Sequence, residues 1–295
     1  MKMGLQSFHP FVSFFYYIVC MVSVMVSRHP FFLVTGLMLI ILLNVLQDGG
    51  RGLARWWVGW AFIAIFFLLV TPLTNHRGTH ILFYFQDNPI MLEAVMQGLI
   101  MALSLVCLMA LFSSYNLVVT PDRFLFLFAR ILPQWALLTL LTMRFVPLLR
   151  RRIGEIELVQ ESKGMTIKSG PLKNRLRHGL LFVQILLTWS LEEAIQTADS
   201  MKARGYGLGK RSRYTPYRMR WRDYVALVYL GGLGSLTLFG VWLGDNVLTL
   251  NPVLEPIVLQ SREWFYWAVF VCLIGFSIAI EGRELWKWRY WKRNN

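Results

Sequence analysis

Six stretches of the chain, roughly 11–27, 31–47, 55–72, 90–116, 222–244 and 263–281, each run for about 17 or more mostly apolar residues. That is close to the length a helix needs to cross a hydrocarbon core of about 30 Å. Lipid offers the backbone no hydrogen-bonding partners, so such runs fold as helices that satisfy their own N–H and C=O groups. The alternating pattern of a barrel strand is absent from them. The expected fold class is therefore all-α, a polytopic membrane protein with about six transmembrane helices. Only 16% of residues are charged, against about 25% in soluble domains. Lys2 followed by an apolar run imitates a secretory leader. No small-x-small cleavage site follows, and a second run begins at Phe31, so the first run reads as a span.

The net charge is +14, and its placement matters more than its size. Residues 150–222 hold 16 Lys and Arg against 6 Asp and Glu. The tail after Ile280 adds Arg283, Lys287, Arg289, Lys292 and Arg293, whereas loops 73–89 and 245–262 are close to neutral. Basic loops stay on the cytoplasmic side. Six spans with both termini cytoplasmic put every one of these regions where its charge requires. This divides the chain into an N-terminal membrane region of four spans (1–116), a cytoplasmic coupling-helix region (117–221) and a C-terminal membrane region of two spans with a basic tail (222–295).

The middle region has helices of its own. Thr120-Pro121 suits a helix start. A second helix is expected from Pro133 toward Lys163, and a third from about Leu172 to Arg204, where Gly205 stops it. Residues 135–149 are nearly all apolar except Arg144, then turn basic at Arg150–Arg152. The 13 apolar-rich residues 179–191 are too few to span and too greasy for a solvated face. Helices with one apolar and one charged half suit the membrane–water boundary.

Sites of chemistry are hard to find. In MKARGYGLG, residues 201–209, the glycines suggest a phosphate loop. A P-loop would need Gly at 204 and Ser or Thr at 211, and both positions are Arg. The dinucleotide pattern fails at Lys210. No catalytic cluster is visible, so the chain reads as a non-enzyme that binds no cofactor. Glu93 lies near the outer end of the fourth span and reads as an interfacial structural acid rather than a functional one. His76 and His80 have the i, i+4 spacing of metal ligands, but Gly78 between them weakens a helix and no third ligand is evident. Cys20, Cys107 and Cys272 lie inside apolar runs, with no metal or disulfide spacing. The apolar majority argues against nucleic acid as a partner. The basic block has anionic lipid headgroups within reach.

Four features in order carry a resemblance: T-P-D-R at 120–123, L-P at 132–133, R-F-V-P-L-L at 144–149 and M-K-A-R-G-Y-G at 201–207. Together they resemble the transmembrane T component of energy-coupling factor (ECF) transporters, the CbiQ-like cobalt and vitamin family. That family carries a short x-Arg-x motif at each of two cytoplasmic coupling helices. The second matches as Ala203-Arg204-Gly205. The first falls on Ser162-Lys163-Gly164, where Lys replaces Arg: the charge is kept and the bidentate fork is lost.

The resemblance implies a plasma-membrane importer subunit that binds two ATP-binding cassette ATPases and a membrane-embedded, substrate-binding S component. The ATPases bind and hydrolyse ATP, and this chain transmits their motion for uptake of a vitamin or a transition-metal ion. Ser162, Lys163, Gly164, Ala203, Arg204 and Gly205 are the expected ATPase-docking residues, with rim contacts from Glu192, Glu193, Asp199, Met201 and Lys202. Leu137, Leu141, Leu180, Leu181, Val183 and Leu187 are the expected S-component face. Lys163 and Arg204 lie 41 residues apart, each at a helix end and each followed by glycine, so two tips would serve two ATPases. A stand-alone membrane carrier or channel is the alternative. It would need ionisable groups within the spans, and these show almost none.

Overall fold

The computed structural model describes residues 4–75, 78, 80–85, 88–129, 131–164, 171–209, 217–246, 248 and 261–294. The chain divides into two compact units. Met1–Phe124 and Tyr217–Asn295 form a membrane unit, and Leu125–Pro216 form an inserted unit.

In the membrane unit, a 3-10 turn (Gly4–Ser7) precedes α1 (Pro10–Val26), α2 (Pro30–Asp48), α3 (Arg51–Thr74), α4 (Leu92–Val118), α8 (Trp221–Trp242) and α9 (Ser261–Asn294). Five helices are long and apolar enough to cross a membrane: α2, α3, α4, α8 and the Ser261–Glu284 part of α9. The 17-residue α1 is apolar but shorter. Both α1 and α2 begin with His-Pro-Phe. The imidazole Nδ1 of His9 accepts the Phe11 N–H at 3.2 Å, that of His29 accepts the Phe31 N–H at 3.3 Å, and proline takes the first helical position.

The core lies among α1, α2, α4, α8 and α9, with Tyr16, Tyr17, Phe32, Phe270, Leu273 and Ile274 fully enclosed. Several polar side chains inside it bond across helices. The Tyr16 hydroxyl donates to the Ile274 carbonyl at 3.0 Å. Tyr17, Ser114 and Gln47 form a closed triangle. Asn44 donates to the Ala110 carbonyl at 3.0 Å. Cys20 and Cys107 are buried in this packing and Cys272 is exposed.

One local structure departs from the helical expectation. Ile81–Phe85 and Asn88–Met91 pair as an antiparallel hairpin ahead of α4. Its first strand, Ile-Leu-Phe-Tyr-Phe, carries one β-branched and three aromatic residues, which favour an extended backbone. Glu93 in the first turn of α4 is 2% exposed, and its carboxylate accepts the His80 N–H at 3.1 Å. It holds the hairpin to the helix start. His76 lies outside the described residues, so the His76/His80 pair is not described. Among the described residues no group of three or more His, Cys, Asp or Glu could hold a metal.

The chain leaves the membrane unit along α5 (Pro121–Phe128), whose start is set by the Thr120 carbonyl accepting the Arg123 and Phe124 N–H groups. The inserted unit then holds two long helices, α6 (Pro133–Ser162) and α7 (Leu172–Ala203). Pro147 sits inside α6 without ending it. It forfeits one hydrogen bond, the one that would end on the Met143 carbonyl.

Candidate functional site

α6 and α7 touch through a cation and a ring. The Arg152 guanidinium lies 4.7 Å from the centre of the Trp189 ring and also pairs with Glu155 at 2.6 Å. Both residues sit well inside their helices, and α7 has no buried residue at all. A helix that packed along its partner would bury a stripe. Both helices show such a stripe, half-buried rather than fully buried: Phe145, Leu149, Arg152 and Ile156 on α6, and Phe182, Ile185, Trp189 and Glu193 on α7. Each helix ends roughly 15 to 20 Å beyond the Arg152–Trp189 contact at 1.5 Å per residue.

The two helix ends share one geometry. At the end of α7, Arg204 caps the helix at φ −83°, ψ 8°, and Gly205 follows at φ +77°. The Gly205 N–H reaches the Lys202 carbonyl at 2.9 Å and the Tyr206 N–H reaches the Met201 carbonyl at 3.0 Å. This pair of bonds is the Schellman motif, which satisfies the last carbonyls and needs a left-handed residue at the glycine position. At the end of α6, Lys163 caps at φ −90°, ψ 5°, Gly164 follows at φ +75°, and its N–H reaches the Glu161 carbonyl at 2.9 Å. In each case a positive φ costs glycine little and an L side chain much.

The surroundings of both cations are open. Ser162, Lys163, Gly164, Ala203 and Arg204 are exposed and Gly205 is half-buried. Glu192, Asp199 and Lys202 are exposed as well, while Glu193 and Met201 are half-buried. A cation at a helix C-terminus meets the negative end of the macrodipole, favourable by about 0.3–1 kcal/mol, so each tip is a stable projecting positive charge.

Two residues of the α7 tip lie beyond the expected set. Tyr206 is 44% exposed and Leu208 is 88% exposed, the Leu208 N–H bonding the Gly205 carbonyl at 3.2 Å. The turn past Gly205 thus presents an apolar knob beside Arg204. Its sequence signal was Tyr and Leu alternating with glycine, legible only as part of a helix stop.

The apolar positions expected along α6 and α7 are placed unevenly. Leu176, Leu180, Val183, Leu187, Leu191 and Ile195 fall on one face of α7 at helical spacing, and all are more than half exposed. Leu180, Val183 and Leu187 belong to that stripe. Leu181 lies off it and is half-buried, as are Leu137 and Leu141 on α6. Together the stripe residues make a continuous uncovered apolar face along α7.

Comparison with known proteins bears on the same segment. The family model described as CbiQ, cobalt transport protein, matches residues 8–215, which take in both tips. The energy-coupling factor transporter transmembrane protein EcfT of Staphylococcus aureus is 24% identical over 190 residues, covering 59% of this chain and 71% of that protein. EcfT of Bacillus subtilis is 26% identical over 189 residues, covering 60% and 71%. EcfT of Thermotoga maritima is 24% identical over 231 residues, covering 74% and 82%. With the helical membrane unit, the twin basic tips and a match over most of its length, the chain belongs to the CbiQ family and is an EcfT-like transmembrane T component of energy-coupling factor transporters.

Proposed function

We propose that the chain converts ATP hydrolysis by two partner ATPases into movement of a substrate-binding S component, for import of a vitamin or a transition-metal ion. ATP is bound by the ATPases and not by this chain. The twin tips carry this reading. Lys163 and Arg204, with Ser162, Gly164, Ala203 and Gly205 around them, offer two equivalent cationic ends, one for each ATPase. A groove edged with carboxylates is the partner surface such ends fit. Tyr206 and Leu208 add an apolar contact at the second tip, the kind of buried anchor on which interfaces concentrate their energy.

The exposed face of α7 supports the other half of the reading. The S component seats on Leu180, Val183 and Leu187 and on the neighbouring apolar stretch of α6 around Leu137 and Leu141. Movement of the tips is carried along the helices to that face. The basic balance of residues 150–222 supports a cytoplasmic position for the inserted unit, with both termini on the same side of the plasma membrane.

Affinity purification of the full-length chain from its own membrane tests the proposal. Recovery of two ATPase chains and a small hydrophobic membrane protein is the expected result. A chain that purifies alone and moves solute without them would be the stand-alone carrier instead.

A further inference from the structure

The chain passes into the inserted unit after Phe124 and returns at Tyr217. Both crossing points are held by one short segment of the membrane unit, the N-terminal residues 4–9 and the start of α1. The Arg123 guanidinium donates through Nη2 to the Gln6 carbonyl at 2.6 Å and lies over the Tyr217 ring at 5.9 Å. Tyr217 also meets the His9 ring edge-on at 6.5 Å. Phe124 packs edge-on against Phe14 at 6.1 Å.

The same segment is tied to the rest of the bundle. The backbone of Gly4 and Leu5 donates to the carboxylates of Glu284 and Glu281 on α9. Arg222 at the start of α8 donates to the Ser7 carbonyl at 2.7 Å and stacks over Phe8 at 5.1 Å. The His9 N–H reaches the Asp223 carboxylate at 3.4 Å. The Gln6 side chain donates to the Leu117 carbonyl at 3.1 Å, at the end of α4. Residues 4–9 therefore join α4, α8 and α9 to both joints of the inserted unit.

Arg123 is poorly designed for stability. It is 4% exposed, yet among the described residues it has one carbonyl, one ring face and no carboxylate, and its Nη1 has no hydrogen-bond partner. A buried cation satisfied this thinly gives little net stabilisation, and an apolar side chain of similar size often does as well. What Arg123 does supply is a fixed geometry, because its planar fork bonds and stacks at once.

We propose that residues 6–9 and Arg123 form a clamp through which motion of the inserted unit reaches the membrane unit, with Arg123 as its positioning residue. This rests on the coupling role proposed above. It gives the T-P-D-R motif a function separate from starting α5: Thr120 and Pro121 begin the helix, and Arg123 closes the clamp.

Hydrogen exchange on the full chain in lipid nanodiscs tests the clamp. In Arg123→Met, amides of residues 5–9 should exchange at least tenfold faster, while the cores of α1 and α4 stay as in the wild type. Arg123→Lys, which keeps one donor and the charge but not the planar fork, should restore only part of the protection. Unchanged exchange at 5–9 overturns the proposal, and so does loosening spread through the whole bundle. Should Arg123→Met fail to fold, Tyr217→Leu decides: local loosening at 5–9 supports the clamp and no change overturns it. A second arm adds the co-purifying ATPases with ATP and vanadate. Wild-type residues 160–164 and 200–206 should slow, and residues 5–9 should respond with them. In Arg123→Met the tips should still slow while the response at 5–9 is lost. An equal response at 5–9 in both proteins overturns the clamp. Tips that never respond count against ATPase docking instead, and the first arm still decides the clamp.

Discussion

Lys163 and Arg204 occupy the same position in the same helix ending, each the capping residue and each followed by a glycine at φ +75° or +77°. Their head groups differ. Arg presents a planar fork able to hold a carboxylate with two bonds, and Lys presents a point charge. Lys163→Arg should therefore strengthen retention of an ATPase subunit at the first tip. Dissociation measured on the solubilised complex should slow several-fold, with no change in thermal stability.

Gly205 takes the left-handed position that ends α7 directly after Arg204. Gly205→Val forces a β-branched residue into the left-handed region at a cost of about 1–2 kcal/mol. The variant should unwind the end of α7 without altering its charge. Exchange at residues 201–206 should rise while that of the membrane unit does not, and ATPase retention should fall although Arg204 is intact.

The apolar surfaces on α7 serve different partners and should separate by mutation. Leu208→Asp, beside Arg204, should weaken ATPase retention and leave the S component bound. Leu180→Asp together with Leu187→Asp should do the reverse. Quantifying both partners after purification of each variant checks this, and loss of both partners in both variants would show that the two surfaces are not distinct.

His9 makes the start of α1 sensitive to acid. Burial lowers its pKa below the ordinary 6.5, and the nearby Asp223 carboxylate only partly opposes this. Its Nδ1 must be unprotonated to accept the Phe11 N–H. With a lowered folded pKa, the unfolded state binds the extra proton first. Stability is then full above pH 6.5, falls as pH drops from 6.5 toward the folded pKa, and levels off below it. His9→Asn keeps a cap and removes the titration, so the pH dependence of its thermal midpoint should be shallower than that of the wild type.

Much of this was readable from residues close together in the chain. Apolar runs located the spans because lipid leaves the backbone one solution, and Gly205 and Gly164 marked helix ends because glycine alone adopts the left-handed turn cheaply. The hairpin at 81–91 was missed because a short, mostly aromatic run inside a loop carries no periodicity long enough to stand out. His9 and His29 were missed as caps because histidine is not among the usual capping residues. Arg123 was read only as the last residue of the T-P-D-R match at 120–123. Its partners at positions 6 and 217 are distant in sequence and become neighbours only when α1, α5 and α8 assemble.

The docking role of the two tips is tested most directly by reversing both charges. Full-length protein carrying Lys163→Glu and Arg204→Glu should insert and fold as the wild type does, because both side chains are exposed. Co-purification of the ATPases should drop by at least tenfold in the double variant, with an intermediate loss in each single variant. Undiminished ATPase recovery with both charges reversed would contradict the assignment of these tips as the docking site.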